Sequence, residues 1–295
     1  MVELQLGIVT PVVNLNPRFD PPPWEDEAGI EDVVTVVTAA EKAGYRWFSC
    51  PEHVCIPTPV ASTRGGRYWD PLTTLSFAAA RTSTIGLLTH VLVLGYHHPL
   101  EVVKSYGSLD EASGGRVILG VGVGTLRPEF ELLGVPYAER GPRADDALRA
   151  IRASFGNKRP QYDGAYYAFD DVVVDPCGLP RHVEIWVGGR TRRSLRRALD
   201  LGDGWIPFGM TLPELQTLLD DEELSGRRAR RERFEVILAP EPPIDPVGEP
   251  ATCADTVRAY VAAGATGLHV RFVHHSRQHY LEQLDALSEL VRALG

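Results

Sequence analysis

Glu52 and His53 stand side by side directly after a short apolar run, Arg46 to Cys50. A carboxylate beside an imidazole supplies two of the side chains most used to move protons near neutral pH, and strand ends are where barrel enzymes build their sites. Neither residue belongs to an HExxH or comparable cluster, so no metal is expected here. A histidine that only shapes a pocket is the plain alternative. A second signal is Ile185-Trp186-Val187-Gly188-Gly189-Arg190-Thr191, an apolar strand that breaks into two glycines and then a helix carrying Ser194, Leu195, Ala198 and Leu199. Glycines let a backbone approach a phosphate closely, the first helical amides point at it, and Arg190, Arg192 and Arg193 add positive charge. A tight turn with a solvated basic face would read the same way, so the string alone leaves both readings open.

Val117 to Gly124 carries glycine at every second position from Gly120. No GxGxxG opens a helix there, which excludes a dinucleotide turn; alternating glycine within a strand fits either close approach of a flat ligand or simple interior packing. Thr89-His90-Val91 lies within the third apolar run. His97-His98 and His274-His275 are adjacent pairs whose side chains diverge, and they are expected to be loop residues without a role.

The elements that would position these residues follow a strand-then-helix rhythm repeated about eight times. The strands are expected at Leu4 to Val9, Arg46 to Cys50, Ile85 to Leu94, Val117 to Val123, Glu184 to Val187, Asp203 to Ile206, Phe234 to Leu238 and Gly267 to Phe272. Several are continuous apolar runs, as parallel strands buried on both faces should be. Ile30, Val33, Val34, Val37 and Ala40 stripe a helix that stops at Gly44, and Pro99 opens another that ends at Gly114-Gly115. Thr252 with Asp255 resembles a capping box, and Leu284, Leu287, Val291 and Leu294 stripe the last helix. Residues 1–295 therefore read as one (β/α)8 TIM barrel. It has two additions, Pro51 to Trp69 after the second strand and a β-hairpin between Gln161 and Val174, before the fifth strand. The first is a natural substrate wall or lid.

A net charge of −9 repels nucleic acid and anionic lipid, and no apolar segment approaches the roughly 20 residues that span a bilayer. Neither nucleic acid nor membrane is an expected partner, and a cytoplasmic location is expected. Cys50, Cys55, Cys177 and Cys253 form no CxxC pair, so they read as reduced thiols. The Arg227 to Arg233 run beside Asp220 to Glu223 reads as a solvated helix and turn.

Glu41 to His53, Asp70 to Leu94, Ser108 to Gly124, Phe130 to Arg140 and Trp186 to Pro207 together resemble the luciferase-like monooxygenase superfamily. More narrowly they resemble its actinobacterial branch of oxidoreductases that use the deazaflavin coenzyme F420. The resemblance implies a cofactor, F420 or alternatively FMN, with its ring over the ends of the third and fourth strands, near Thr89, His90, Val91, Gly122 and Gly124. Its phosphate would lie at Val187, Gly188, Gly189 and Arg190. The resemblance also implies a homodimer, and a non-prolyl cis peptide between His90 and Val91, although the family usually has glycine where His90 stands. Glu52 and His53 are the candidate acid and base. F420 carries carbon where a flavin has N5, so it exchanges hydride and forms no oxygen adduct. The leading expectation is hydride transfer between F420 and a small organic substrate. FMN-dependent monooxygenation, a non-catalytic flavin- or F420-binding protein, and a non-redox barrel enzyme acting on a phosphorylated substrate are the alternatives.

Overall fold

The computed structural model describes residues 4–295. Eight parallel strands form the frame: β1 (Gln5–Val9), β2 (Trp47–Cys50), β3 (Gly86–Thr89), β4 (Val117–Gly122), β5 (Glu184–Gly188), β6 (Gly204–Ile206), β7 (Glu235–Leu238) and β8 (Gly267–Val270). Their order is β3-β2-β1-β8-β7-β6-β5-β4, and β4 returns to β3 through the pairs Leu87 with Val117 and Leu88 with Ile118, which closes the barrel. All eight lie within or one residue beyond the runs expected from the sequence. The third run is broken: after β3 the chain passes a cis peptide between His90 and Val91, then resumes pairing with β4 at Leu92–Val93.

The barrel interior is filled by Trp47, Leu88, Ile118, Trp186, Ile206 and Ile237, one residue from each of β2 to β7. The two indoles meet edge to face at 5.0 Å. β1 and β8 contribute no side chain at that level because Gly7 and Gly267 face the Trp47 ring, which occupies the space a Cβ would need. Interior density leaves no slack for such an atom.

The outer layer is α1 (Ile30–Ala43), α2 (Pro71–Ala79), α3 (Pro99–Ser113), α4 (Arg140–Ser154), α5 (Arg192–Leu201), α6 (Leu212–Leu219), α7 (Glu222–Ala229), α8 (Pro250–Ala262) and α9 (Arg277–Leu294). Val33, Val34, Val37 and Ala40 of α1 are buried, and Gly44 ends it in the left-handed conformation. α8 begins earlier than Thr252: Glu249 is its N-cap and Pro250 its first residue, so Thr252 and Asp255 lie inside the helix and form no capping box. The expected hairpin pairs Tyr162 with Phe169 and Asp163 with Ala168. The Pro51 to Trp69 segment contains a short helix, Thr58–Arg64, and rejoins the barrel where Tyr68 bridges Asn14. Among the described residues no helix is long and apolar enough to cross a membrane.

Candidate functional site

Every strand ends at one mouth, and the expected site residues divide there into those that face it and those already engaged. Glu52 belongs to the second group. Its Oε2 accepts the Val93 amide at 2.6 Å and its Oε1 meets His97 Nε2 at 2.6 Å, so the carboxylate braces the segment after the cis peptide. Burial works against a charged His97, but the Glu52 carboxylate outweighs it and holds the imidazole above its ordinary pKa. His97 is thus a structural partner of Glu52, contrary to the expectation of a loop residue without a role.

His53 is paired with a residue the sequence did not single out. Its Nδ1 lies 2.7 Å from Oε2 of Glu129, a fully buried carboxylate that also accepts the Tyr96 hydroxyl at 2.8 Å and the amides of Val54 and Cys55 at 2.7 and 3.2 Å. Burial opposes ionisation of Glu129, yet these donors, His53 and Tyr96 foremost, keep its carboxyl below the usual range. An ionised Glu129 accepts only, so the shared proton sits on His53 Nδ1. A carboxylate thus orients the His53 ring, and that carboxylate is Glu129; Glu52 is not part of the pair.

A second chain of hydrogen bonds runs through the barrel to His90. The Trp47 indole can only donate, and it donates to His269 Nδ1 at 3.0 Å. The His269 proton is therefore on Nε2, which lies 3.1 Å from both Ser49 Oγ and His90 Nδ1. Ser49 directs its own proton to the Ile8 carbonyl. His90 Nδ1 is thus the acceptor of the pair, and its proton resides on Nε2. That nitrogen is buried and meets no partner among the described residues. Burial, reinforced by the charge of Arg271, lowers the His90 pKa to about 4, so it is a neutral donor. Its ring stands edge-on to Phe208, an exposed aromatic just beyond β6, and the Arg190 guanidinium lies over the other end of that path, 5.8 Å from the Phe208 centroid.

The turn after β5 has the expected build. Gly189 has φ 110°, a conformation that L side chains rarely adopt, and a Cβ there would press on Ser194. Thr191 Oγ1 caps the Ser194 amide and Trp205 Nε1 holds the Gly189 carbonyl, which leaves the amides of Arg192 and Arg193 at the first two helical positions without intrahelical acceptors. The side chain of Arg192 turns away, to Asp221 at 2.8 Å and Glu223 at 2.5 Å, so it adds no charge to this turn. Arg190 meets no carboxylate within ion-pairing distance among the described residues.

The remaining expected cofactor contacts are engaged by the protein itself. Thr89 is buried and its hydroxyl donates to the Gly120 carbonyl, while Val187 is buried in the wall. Val91, just past the cis peptide, packs into the space left by two glycines: a Cβ on Gly122 or Gly188 would come within 2.6 or 2.7 Å of its methyl groups. Gly124 likewise makes room for Phe130 and Val93. The alternating glycines are thus accounted for by interior packing. The fit of a planar, anionic-tailed cofactor rests on the unpartnered His90 Nε2, the exposed Phe208 ring, and the Gly189-Arg190 turn.

A model of the family described as luciferase-like monooxygenase matches residues 5–242. An uncharacterised protein of Mycobacterium tuberculosis is 34% identical over 197 residues, 62% of this chain and 70% of its own. The FMNH2-dependent dimethylsulfone monooxygenase of Pseudomonas putida is 28% identical over 146 residues, 48% of this chain and 40% of its own. Among solved structures, an F420-dependent secondary alcohol dehydrogenase bound to an F420-acetone adduct superposes with a TM-score of 0.76 at 14% identity, covering 99% of both chains.

Proposed function

The chain belongs to the luciferase-like monooxygenase family, and from that premise we propose that it is an F420-dependent oxidoreductase exchanging a hydride with a small organic substrate. The observation that carries this reading is the His53–Glu129 pair at the mouth. Moving a hydride between carbons of an alcohol and a ketone also moves a proton at oxygen, and an imidazole oriented by a carboxylate is suited to that proton. When bound, the deazaflavin supplies the hydride-accepting carbon. The protein's residues do the rest. His53 Nε2 takes the proton from the substrate hydroxyl, and returns it in the reverse direction. Glu129 fixes the tautomer and stabilises the imidazolium that forms. His90 Nε2–H would hold an acceptor on the ring's edge, Phe208 would limit its tilt, and Arg190 with the amides of Arg192 and Arg193 would hold the phosphate. A homodimer is part of the same proposal.

Titration of the purified chain by fluorescence quenching tests the choice of cofactor. F420 should bind more tightly than FMN; equal affinity or a preference for FMN, with FMN-dependent oxygen consumption, replaces this reading with monooxygenation.

A further inference from the structure

A cleft of about 330 Å³ opens at the mouth between the ends of β1 and β8, within the size range of small-molecule sites. Arg271, the first residue after β8, lines it. The guanidinium carbon lies 3.5 Å from the centroid of the Phe19 ring, which also lines the cleft, so the planar group is stacked and held. Among the described residues no carboxylate comes within ion-pairing distance of it, and no side chain or carbonyl accepts from it. That sets it apart from five other arginines drawn into the protein. Arg46 meets Glu184, Arg152 meets Asp203, Arg181 meets Asp110, Arg197 meets Asp145, and Arg116 donates to carbonyls of Ala79, Thr82, Ile85 and Ser113.

The two carboxylates nearest in the field are already engaged. Glu241 is bound to Arg18 at 2.7 Å. Glu25 accepts the Val12 amide at 2.6 Å and faces His274, whose Nδ1 takes the Trp24 indole proton, so that His274 Nε2–H points back to Glu25 at 3.4 Å. Burial pushes the Glu25 carboxyl up and holds His274 neutral, at about 4. What the cleft presents, beside the Glu25 and Asp20 carboxylates that also line it, is therefore a stacked fork of N–H donors with no ion-pair partner among the described residues. The cleft also lies one ring away from the proposed base. Asn14, on its wall, is bridged to Tyr68, and the Tyr68 ring sits 4.5 Å from that of His53.

We propose that this cleft is an oxyanion-recognition site, in which Arg271 grips a carboxylate or phosphate group of a small ligand by a two-point contact against the Phe19 ring. That the ligand is the substrate of the proposed redox reaction, anchored by its anionic end with its reacting carbon toward His53, rests on the function proposed above; the binding site itself does not.

The probes are succinate and inorganic phosphate, followed by thermal melting against chloride at matched ionic strength. One of the two should stabilise the wild type saturably. With Arg190→Ala as the common background, which weakens the other proposed phosphate site, Arg271→Met should abolish that saturation, and Arg271→Lys, which keeps the charge and loses the fork, should weaken it at least severalfold. F420 and FMN affinities, measured separately, should be unchanged from that background in both variants. Succinate as the effective probe identifies a carboxylate ligand, phosphate a phosphorylated one. If neither saturates beyond chloride, if both Arg271 variants bind like that background, or if the variants lose cofactor affinity instead, the proposal is overturned. Should the wild type bind the anion but neither cofactor, the cleft stands and the redox reading falls.

Discussion

Replacing Glu129 by glutamine changes one oxygen to an amide in the most densely bonded carboxylate of the mouth. Oε1 receives the amides of Val54 and Cys55, and Oε2 receives Tyr96 and His53 Nδ1. Glutamine accepts at one oxygen only. If that oxygen stays with the two backbone amides, its NH2 group confronts Tyr96 and His53, and both must become acceptors. The His53 proton then moves from Nδ1 to Nε2. Each charge-assisted bond lost costs about 1.5–3 kcal/mol. Two are lost, and the reversed bonds recover part, so the expected destabilisation is about 2–4 kcal/mol. For a chain of this size that lowers Tm by roughly 4–8 °C. The tautomer is read directly from the 15N shifts of labelled histidine. If the proposed function holds, turnover should fall by about two orders of magnitude or more because Nε2 no longer begins as a base. An unchanged melt with Nδ1 still protonated would refute the assignment of Glu129 as the group that orients His53.

The other expectations concern stability and the cofactor turn. His90 and His274 are held neutral with pKa values of about 4, below the ordinary 6.5. Between those values the unfolded chain binds more protons, so their contribution is complete above about pH 6.5 and fades as pH falls toward 4, by about 2 kcal/mol per histidine at pH 5. Urea midpoints at pH 7 and pH 5 measure this, and His274→Gln should shrink the difference; an equal difference in the variant removes His274 from the account. Arg190→Ala should weaken cofactor binding by about 1.5–3 kcal/mol, whereas Arg192→Ala should leave it nearly unchanged because Asp221 and Glu223 hold that side chain. Fluorescence titration of the two variants side by side separates them, and equal losses contradict the placement. Gly7→Ala should destabilise by about 3 kcal/mol or more, since the new methyl falls within the Trp47 ring; a melt within 1 °C of wild type would show that the indole has room to move.

The frame was legible because burial on both faces leaves its mark on composition. Ile8, Phe48, Leu87, Leu119, Ile185, Ile237 and Leu268 are fully buried within predominantly apolar runs, and few other folds produce eight such runs separated by helical stripes. The helix stops at Gly44 and Gly114 were legible for a local reason, since each needs a left-handed residue at a fixed offset from the last apolar position. The start of α8 was misread because Thr252 and Asp255 have the residue types of a cap, while Pro250, two positions earlier, fits the first turn without one.

The site was legible by position and illegible by partnership. Glu52 and His53 are neighbours in sequence, yet adjacent residues project in different directions, so one turns to Val93 and His97 and the other to Glu129, 76 positions away. No local spacing encodes that choice. It is made by Arg127–Leu132, a short helix that brings Glu129 under the loop after β2. The same holds for His90, whose donor nitrogen is set by a proton that the Trp47 indole, on the neighbouring strand, forces across His269. Arg271 did leave a signal: a charged residue between Val270 and Phe272, where an apolar strand reaches the mouth of the barrel, is costly to bury unless something pairs with it. The two carboxylates whose fields reach it most strongly, Glu25 and Glu241, are engaged elsewhere, which is the reason to look for that partner outside the chain.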